Sequence, residues 1–283
     1  MAIAASLVKE LRERTGLGIL DCRNALAESD GDVDLAIDTL RKASGMKAAK
    51  KAGRIASDGL IGMKIAEDGK RAVMVEVNCE TDFAARDENF LGFMETVTDQ
   101  IFKSGETDIS KLLESGLEST RERLVQKIGE NCSIRRAECF EGSAASYIHN
   151  NGKIGVLVAM EGGSESLRRD IAMHIAAIGP AVISPDDVQA DVIAKEREIY
   201  TAQAKDSGKP TEIIEKIIEG RIRKYLAEIS LTEQPFVKDK DIKISALLSE
   251  AGAKVNRFVR FEVGEGIDKD DDDFAAEVAR QVS

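Results

Sequence analysis

Apolar positions recur every three to four residues over 6–14, 19–28 and 32–43, and the breaks between these runs, Thr15-Gly16-Leu17-Gly18 and Ser29-Asp30-Gly31, are rich in glycine and turn formers. The pattern predicts three short helices, the third closing at Gly45. Leu7, Val8 and Leu11, then Ala25 and Leu26, then Val33, Leu35, Ala36, Ile37 and Leu40 supply a small core for them. Leu17, Ile19 and Leu20 are left over at the first turn, where they form either a plug for that core or an exposed contact patch.

From residue 59 the period changes to two. Alternation over 59–65, a turn at Asp68-Gly69 and a β-branched run over 71–77 read as a hairpin, and helical spacing returns from Ala84 to Val97 through Phe90, Phe93 and Met94. The same order appears again: 144–149, a turn at Asn151-Gly152, a strand over 153–160, then a helix over 166–178. Each copy finishes on a similar strand, 132–142 in the first and 255–264 in the second. Two α+β subdomains follow, each an antiparallel sheet covered by helices.

Into the second copy a helical hairpin is inserted. Ser184-Pro185 reads as N-cap and first helical residue; apolar spacing runs through Val188, Val192, Ile193 and Ile199, and Ser207-Gly208-Lys209-Pro210 makes the turn. The return helix carries Ile214, Ile218, Ile222, Tyr225 and Ile229 on one stripe. This predicts either a protruding antiparallel coiled coil or a hairpin lying flat on the core. After Gly264 come an acidic run, Asp268 to Asp273, and a short amphipathic tail through Phe274, Ala275, Val278 and Val282.

One stretch departs from what packing requires. The strand over 71–77 runs into Asn78-Cys79-Glu80-Thr81-Asp82-Phe83, a strand-to-helix corner at which Thr81 or Asp82 can cap the helix amides. Phe83 then either staples back on its own helix or projects outward.

Composition bounds the chemistry. The chain has 283 residues, 43% hydrophobic and 32% charged, enough for about two domains of a globular protein. No run approaches the roughly 18 apolar residues of a membrane span, the N-terminus lacks the pattern of a secretory signal, and a cytoplasmic protein is the simplest expectation. Net charge of −11 argues against broad nucleic-acid binding. Arg41, Lys42, Lys47, Lys50, Lys51 and Arg54 form a local basic cluster, read as a solvated helix-and-linker face with RNA contact as the alternative. Cys22, Cys79, Cys132 and Cys139 form no CxxC pair, and His149 and His174 lie far from them, so reduced structural thiols are expected rather than a zinc site or a disulfide framework. His174 reads as a packed helix residue; His149 is a surface candidate or a plain strand residue. Gly16-Leu17-Gly18 and Gly264-Glu265-Gly266 are too short for a nucleotide-binding fingerprint, and the acidic run lacks EF-hand spacing. No catalytic constellation and no cofactor site are read, the nearest alternative being Cys79 as a low-pKa nucleophile.

The corner, Glu76-Val77-Asn78-Cys79-Glu80-Thr81-Asp82-Phe83, closely resembles a signature of the bacterial elongation factor Ts family, and the segment from Leu11 to Leu26, with Thr15-Gly16-Leu17-Gly18-Ile19-Leu20-Asp21-Cys22-Arg23 at its centre, resembles that family's first signature. Similarity continues through Lys127-Ile128-Gly129-Glu130-Asn131, Gln234-Pro235-Phe236-Val237 and Arg260-Phe261-Glu262-Val263-Gly264. Two departures are visible: Arg23 stands where the family usually has Lys, and Ala84 where it usually has Val.

The resemblance implies an α+β fold with a ubiquitin-associated-like three-helix module and linker over 1–54, core subdomains over 55–142 and over 143–183 with 231–265, an association hairpin over 184–230, and a C-terminal module over 266–283. It further implies a guanine nucleotide exchange factor for the GTPase elongation factor Tu, with no covalent chemistry. Thr81, Asp82, Phe83 and Ala84 would disturb that GTPase's magnesium and phosphate site. Arg12, Leu17, Ile19, Leu20, Arg23, Ile128, Gly129, His149 and Val237 would bind the GTPase, and the hairpin would serve association, including a homodimer.

Overall fold

The computed structural model describes residues 3–205 and 210–268. The chain is α+β. Its first helices are α1 (Ala5–Thr15), α2 (Ile19–Glu28) and α3 (Val33–Lys51). Gly16, in the left-handed region at φ 68°, ends α1 by donating its N–H to the Arg12 carbonyl, and the Asp32 carboxylate starts α3 by accepting from Leu35 N. Leu11, Leu17, Cys22, Leu26, Ala36 and Leu40 form the core these three helices share.

The third helix does not close at Gly45, and residues 47–51, expected as linker, continue it. The reason is tertiary. Gly45 lies where α3 packs against α7 (Glu118–Ile128), with a Glu122 carboxylate oxygen 2.9 Å from the position a Cβ would take, so it falls inside a helix–helix contact rather than at an end. Ala48, one turn later, belongs to the core beneath α7, and the gain from that burial outweighs the modest cost of a helical glycine.

The first sheet has the order β1 (Asp58–Ile65), β2 (Arg71–Cys79), β3 (Cys132–Glu141), all antiparallel. Between β2 and β3 run α4 (Asp82–Ala85), α5 (Glu88–Ser104), α6 (Ile109–Leu112), a π turn at Leu113–Leu117, and α7. The helix expected from Ala84 onward is thus two: Asp87 interrupts it, accepting from Asn89 N and capping α5 afresh. The second sheet has the order β4 (Ala144–Ile148), β5 (Ile154–Glu161), β8 (Lys254–Glu262), with α8 (Glu165–Ile178) over it.

β2 is buried on both faces. Val73, Val75, Val77 and Cys79 meet Phe90, Phe93, Val97 and Leu124 of the covering helices, whereas Ala72 and Met74 meet Ile61, Phe140, Leu157 and Phe261 between the two sheets. The layers are therefore helix, sheet, sheet, helix, with period-two alternation sending each strand's residues to opposite cores. Gly155 permits the approach, since a Cβ there would lie 2.7 Å from Ile61 Cγ2 and 2.8 Å from Met74 Sδ.

Glu76 lies on that sheet-to-sheet face and is fully buried. Arg136 Nε donates to it at 2.6 Å, Arg135 Nη1 at 3.0 Å, Asn78 Nδ2 at 3.1 Å and the Gly264 amide at 2.8 Å. Burial pushes this carboxyl's pKa upward, but the donors from Gly264, Arg135, Asn78 and Arg136 together outweigh it and hold the group below its usual range.

Ser184 and Asp187 form a capping box, but around a one-turn 3-10 helix, Pro185–Asp187; the long helix α9 (Ala190–Lys205) starts later and leaves Val188 outside it. The return helix α10 (Thr211–Ile229) buries Ile218 and Ile222 of the expected stripe. Arg197 to Glu219 at 3.2 Å and Arg221 to Gln203 at 2.9 Å set α9 and α10 antiparallel. Two small elements not read from the sequence follow a 3-10 turn at Leu231–Glu233: the ladder of β6 (Pro235–Phe236) with β7 (Asp239–Lys243), and α11 (Ile244–Glu250), which caps the second core through Ile244 and Leu248. The turn residues 207–209, most of the acidic run and the tail helix lie outside the described residues. No helix among the described residues is long and apolar enough to cross a membrane.

Candidate functional site

The corner after β2 is built from beneath. Thr81 presents both its amide and its hydroxyl to Glu130, at 3.0 and 2.7 Å, while its Oγ1 also accepts from Ala84 N and so caps α4. Cys79 Sγ donates to the Thr81 carbonyl at 3.1 Å. Glu80 accepts from Asn131 N at 2.6 Å and pairs with Arg54 at 3.5 Å. Asp82 is held by Arg86 at 2.8 Å, one helical turn on. Ala84 and Ala85 face the core and are buried. What remains is Phe83, 79% exposed on a corner whose backbone is tied through the Thr81 amide, the Thr81 carbonyl and the Ala84 amide. Such a ring contributes little to folding and is fully available to a partner.

A second surface feature is the α1–α2 loop, where the three leftover apolar residues divide. Leu17, grouped by the sequence reading with its neighbours, is only 7% exposed and plugs the core of the three helices. Ile19 at 58% and Leu20 at 68% stand out into solvent, flanked by the exposed Arg12 and Arg23. Asp21, on the first turn of α2, is tied to Lys47 at 2.9 Å.

α7 joins these two places. Lys127 packs against Gly16 and donates to Asn89 Oδ1 at 2.8 Å. Ile128 is half-buried on the core, and Gly129, exposed in the left-handed region, ends the helix and receives the Lys51 ammonium on its carbonyl. Glu130 then braces Thr81. The local pattern of 127–131 assigns it no such task, although the register of β2 on β3 points to it: Cys79 pairs with Cys132, and two residues further the register sets Thr81 against Glu130.

The remaining two candidates sit on the second subdomain. His149, exposed just past β4, accepts or donates at Nδ1 to the Tyr147 hydroxyl at 3.4 Å, and the turn that follows it reaches the first sheet through the Ile61 amide on the Gly152 carbonyl. Val237 is half-buried, and its amide donates to His174 Nδ1 at 3.2 Å. His174 Nε2 faces Gln234 Oε1 at 2.9 Å, so the ring is held neutral with the proton on Nε2; burial lowers its pKa against the opposing pull of Gln234. His174 is thus a packing residue that positions the Val237 segment.

The two thiols beneath the corner are deactivated by their surroundings. Burial, with the neighbouring Cys132 and Asp58, pushes the Cys79 thiol far above its usual range, and burial with Glu130 pushes Cys132 up to about 12. Both are therefore thiols at neutral pH. Iodoacetamide at pH 7 should modify Cys79 and Cys132 on the order of a thousandfold more slowly than an unperturbed thiol, read by mass spectrometry of the peptides; rapid loss of the Cys79 thiol would reinstate it as a nucleophile. Among the described residues no group of three or more His, Cys, Asp or Glu side chains could hold a metal ion.

The family model described as "Elongation factor TS" matches residues 80–265, opening at the corner itself. The chain belongs to the elongation factor Ts family. Its relatives include the elongation factor Ts of Hahella chejuensis, 58% identical over 99% of both chains, and those of Saccharophagus degradans and Teredinibacter turnerae, each 54% identical over all of this chain and 99% and 98% of theirs. Membership of this family carries a role in translation elongation, and the matches to whole relatives include the α1–α2 loop that the family model leaves out.

Proposed function

We propose that this protein binds elongation factor Tu in its GDP form and promotes release of GDP and its exchange for GTP, without covalent chemistry and without a cofactor of its own. The observation that carries the reading is the exposed ring of Phe83 on a corner too well braced to give way. Pressed into a partner, such a ring gains about 1.5 to 3 kcal/mol if fully buried, and it can do so only in a conformation of the GTPase opened to receive it. Asp82 beside it brings a carboxylate towards the partner's magnesium site, where the ion's field dominates. Thr81 and Ala84 act from behind: the first fixes the corner, the second packs it down.

Exchange then follows from shared coupling. A protein that stabilises a nucleotide-weakened GTPase must itself be released when nucleotide and Mg²⁺ bind well, because the coupling free energy is reciprocal. Ile19 and Leu20 serve as apolar anchors between the charges of Arg12 and Arg23, with Leu17 holding the loop that presents them. Ile128, Gly129, His149 and Val237 extend the contact across α7 and the second subdomain.

In this reading residues 1–54 are a ubiquitin-associated-like docking module, 55–142 and 143–183 with 231–265 are the core subdomains, 184–230 are a coiled-coil hairpin used for association, including self-association, and 266–283 are a C-terminal module; the protein acts in the cytoplasm. The basic cluster on α3 fits this better than an RNA surface, because Lys47 and Lys51 are spent on Asp21 and the Gly129 carbonyl and Arg54 on Glu80. The direct test is release of a fluorescent GDP from purified elongation factor Tu. Addition of this protein should raise the rate by orders of magnitude at micromolar concentration, and an unchanged rate would overturn the proposal.

A further inference from the structure

A cleft of about 720 Å³ opens between the three-helix unit and the helices of the first subdomain, on the flank of α7. We propose that it is a binding site for a small organic anion with an apolar body. Its volume lies within the range of small-molecule sites. Leu17, Leu40, Phe93 and Leu124 form an apolar floor. Around them stand Arg14, Arg41, Arg123 and Lys127, against the single lining carboxylate of Glu88. In a chain of net charge −11 that local balance is unusual.

The cations differ in how far the fold already uses them. Arg14 is paired with Asp34 at 2.7 Å. Among the described residues Arg123 reaches the Thr120 hydroxyl at 3.1 Å, and Lys127 reaches the Asn89 amide oxygen at 2.8 Å with the Asp87 carboxylate near enough to feel its charge. The Arg41 guanidinium has no partner among the described residues. The two guanidiniums without carboxylate partners, Arg41 and Arg123, favour phosphate or carboxylate oxygens, which guanidinium binds in a bidentate fork.

A second observation points into the same cleft. Gln126 lines it, is only 9% exposed, and its buried Nε2 has no acceptor. Buried amide donors are almost always satisfied; this one is sealed just behind the cleft wall, so a ligand supplies its acceptor by drawing the Gln126 side chain outward. Gly92 agrees with this: it sits mid-helix in α5, lines the cleft, and a Cβ there would meet no atom within 4 Å. The chain's own packing therefore does not demand the glycine, whereas a molecule lying over α5 would use the room. The ligand class is an organic anion carrying a phosphate or carboxylate group and a ring or chain with a hydrogen-bond acceptor, in which the anion meets Arg41, Arg123 and Lys127 and the body covers the leucines.

The probe is 1-anilinonaphthalene-8-sulfonate, an anion on an aromatic body, titrated into the full-length protein by fluorescence. Saturable binding at one site is expected, weakened at least tenfold in Arg41→Ala/Arg123→Ala and in Gln126→Leu, each shown folded by circular dichroism. Competition distinguishes the sources: displacement by ADP assigns a phosphate ester, and displacement by octanoate assigns a carboxylate. Binding that the Arg41→Ala/Arg123→Ala and Gln126→Leu variants leave unchanged would place the dye elsewhere and overturn the site, as would the absence of saturation at millimolar probe.

Discussion

Replacing Phe83 by Ala is expected to slow stimulated GDP release from elongation factor Tu by roughly 10- to 150-fold, the equivalent of about 1.5 to 3 kcal/mol of apolar burial, while leaving the protein's own melting temperature almost unchanged. The separation of the two effects follows from geometry. The ring stands in solvent, so removing it costs the free protein little, and the corner beneath is held by Glu130, Cys79 and the Ala84 amide, none of which the substitution touches. Stopped-flow exchange and thermal melts on the same samples read both quantities. A variant that melts several degrees lower yet exchanges at the parental rate would assign the ring to folding and remove the wedge. Asp82→Ala should lose less, and its loss should vary with Mg²⁺ concentration because the carboxylate acts through the ion's field.

The largest effect on stability is expected at Glu76. Glu76→Ala leaves Arg135, Arg136 and the Gly264 amide facing one another without their shared anion, at a place where two sheets meet. Loss of one member of such a buried ionic group costs on the order of 3 kcal/mol, toward the lower end because both guanidiniums keep some solvent, and melting should fall by several degrees. The pH dependence has a fixed sign. A carboxyl held below its usual range in the folded state stabilises fully above its unfolded pKa of about 4.3, and that stability is lost as pH falls through the folded value. Glu76→Gln should therefore flatten the acid limb of a plot of melting temperature against pH below about 4.3. A parental acid limb in that variant would show that other carboxylates carry the acid sensitivity.

Legibility in the sequence tracked how local the deciding interaction was. The two hairpins, their turns at Gly69 and Gly152 and the strands after them were readable because alternation and turn chemistry lie within a few residues of each other. The end of α3 is not legible at Gly45 because what carries the helix past it is burial of Ala48 in the core beneath α7, far along the chain. Ser184 and Pro185 are capping residues as their pattern predicts, but of one 3-10 turn and not of the long helix, since the same capping box suits either. β6, β7 and α11 were too short to show a period at all.

The candidate site divides in the same way. The pattern alone marks the corner and the loop as local anomalies, a Phe that packing does not call for and a glycine-rich apolar turn, and leaves open whether each packs or projects; the family resemblance is what makes them site candidates. That Leu17 turns inward while Ile19 and Leu20 turn outward required the fold, for all three are equally apolar and only the direction of each side chain on the turn separates them.

By itself, then, the sequence determined the α+β class, the internal duplication, the corner bearing Phe83 and membership of one family, because each is written in period, turn chemistry or contiguous signature. Tertiary structure alone decided that the two sheets face each other, that Glu76 is the buried charge between them, and that α7 ties the loop at Gly16 to the corner through Lys127 and Glu130. These are contacts between residues tens to nearly two hundred positions apart. Their energies depend on distance and burial in the folded chain, and neither quantity has a counterpart in the local pattern of residues.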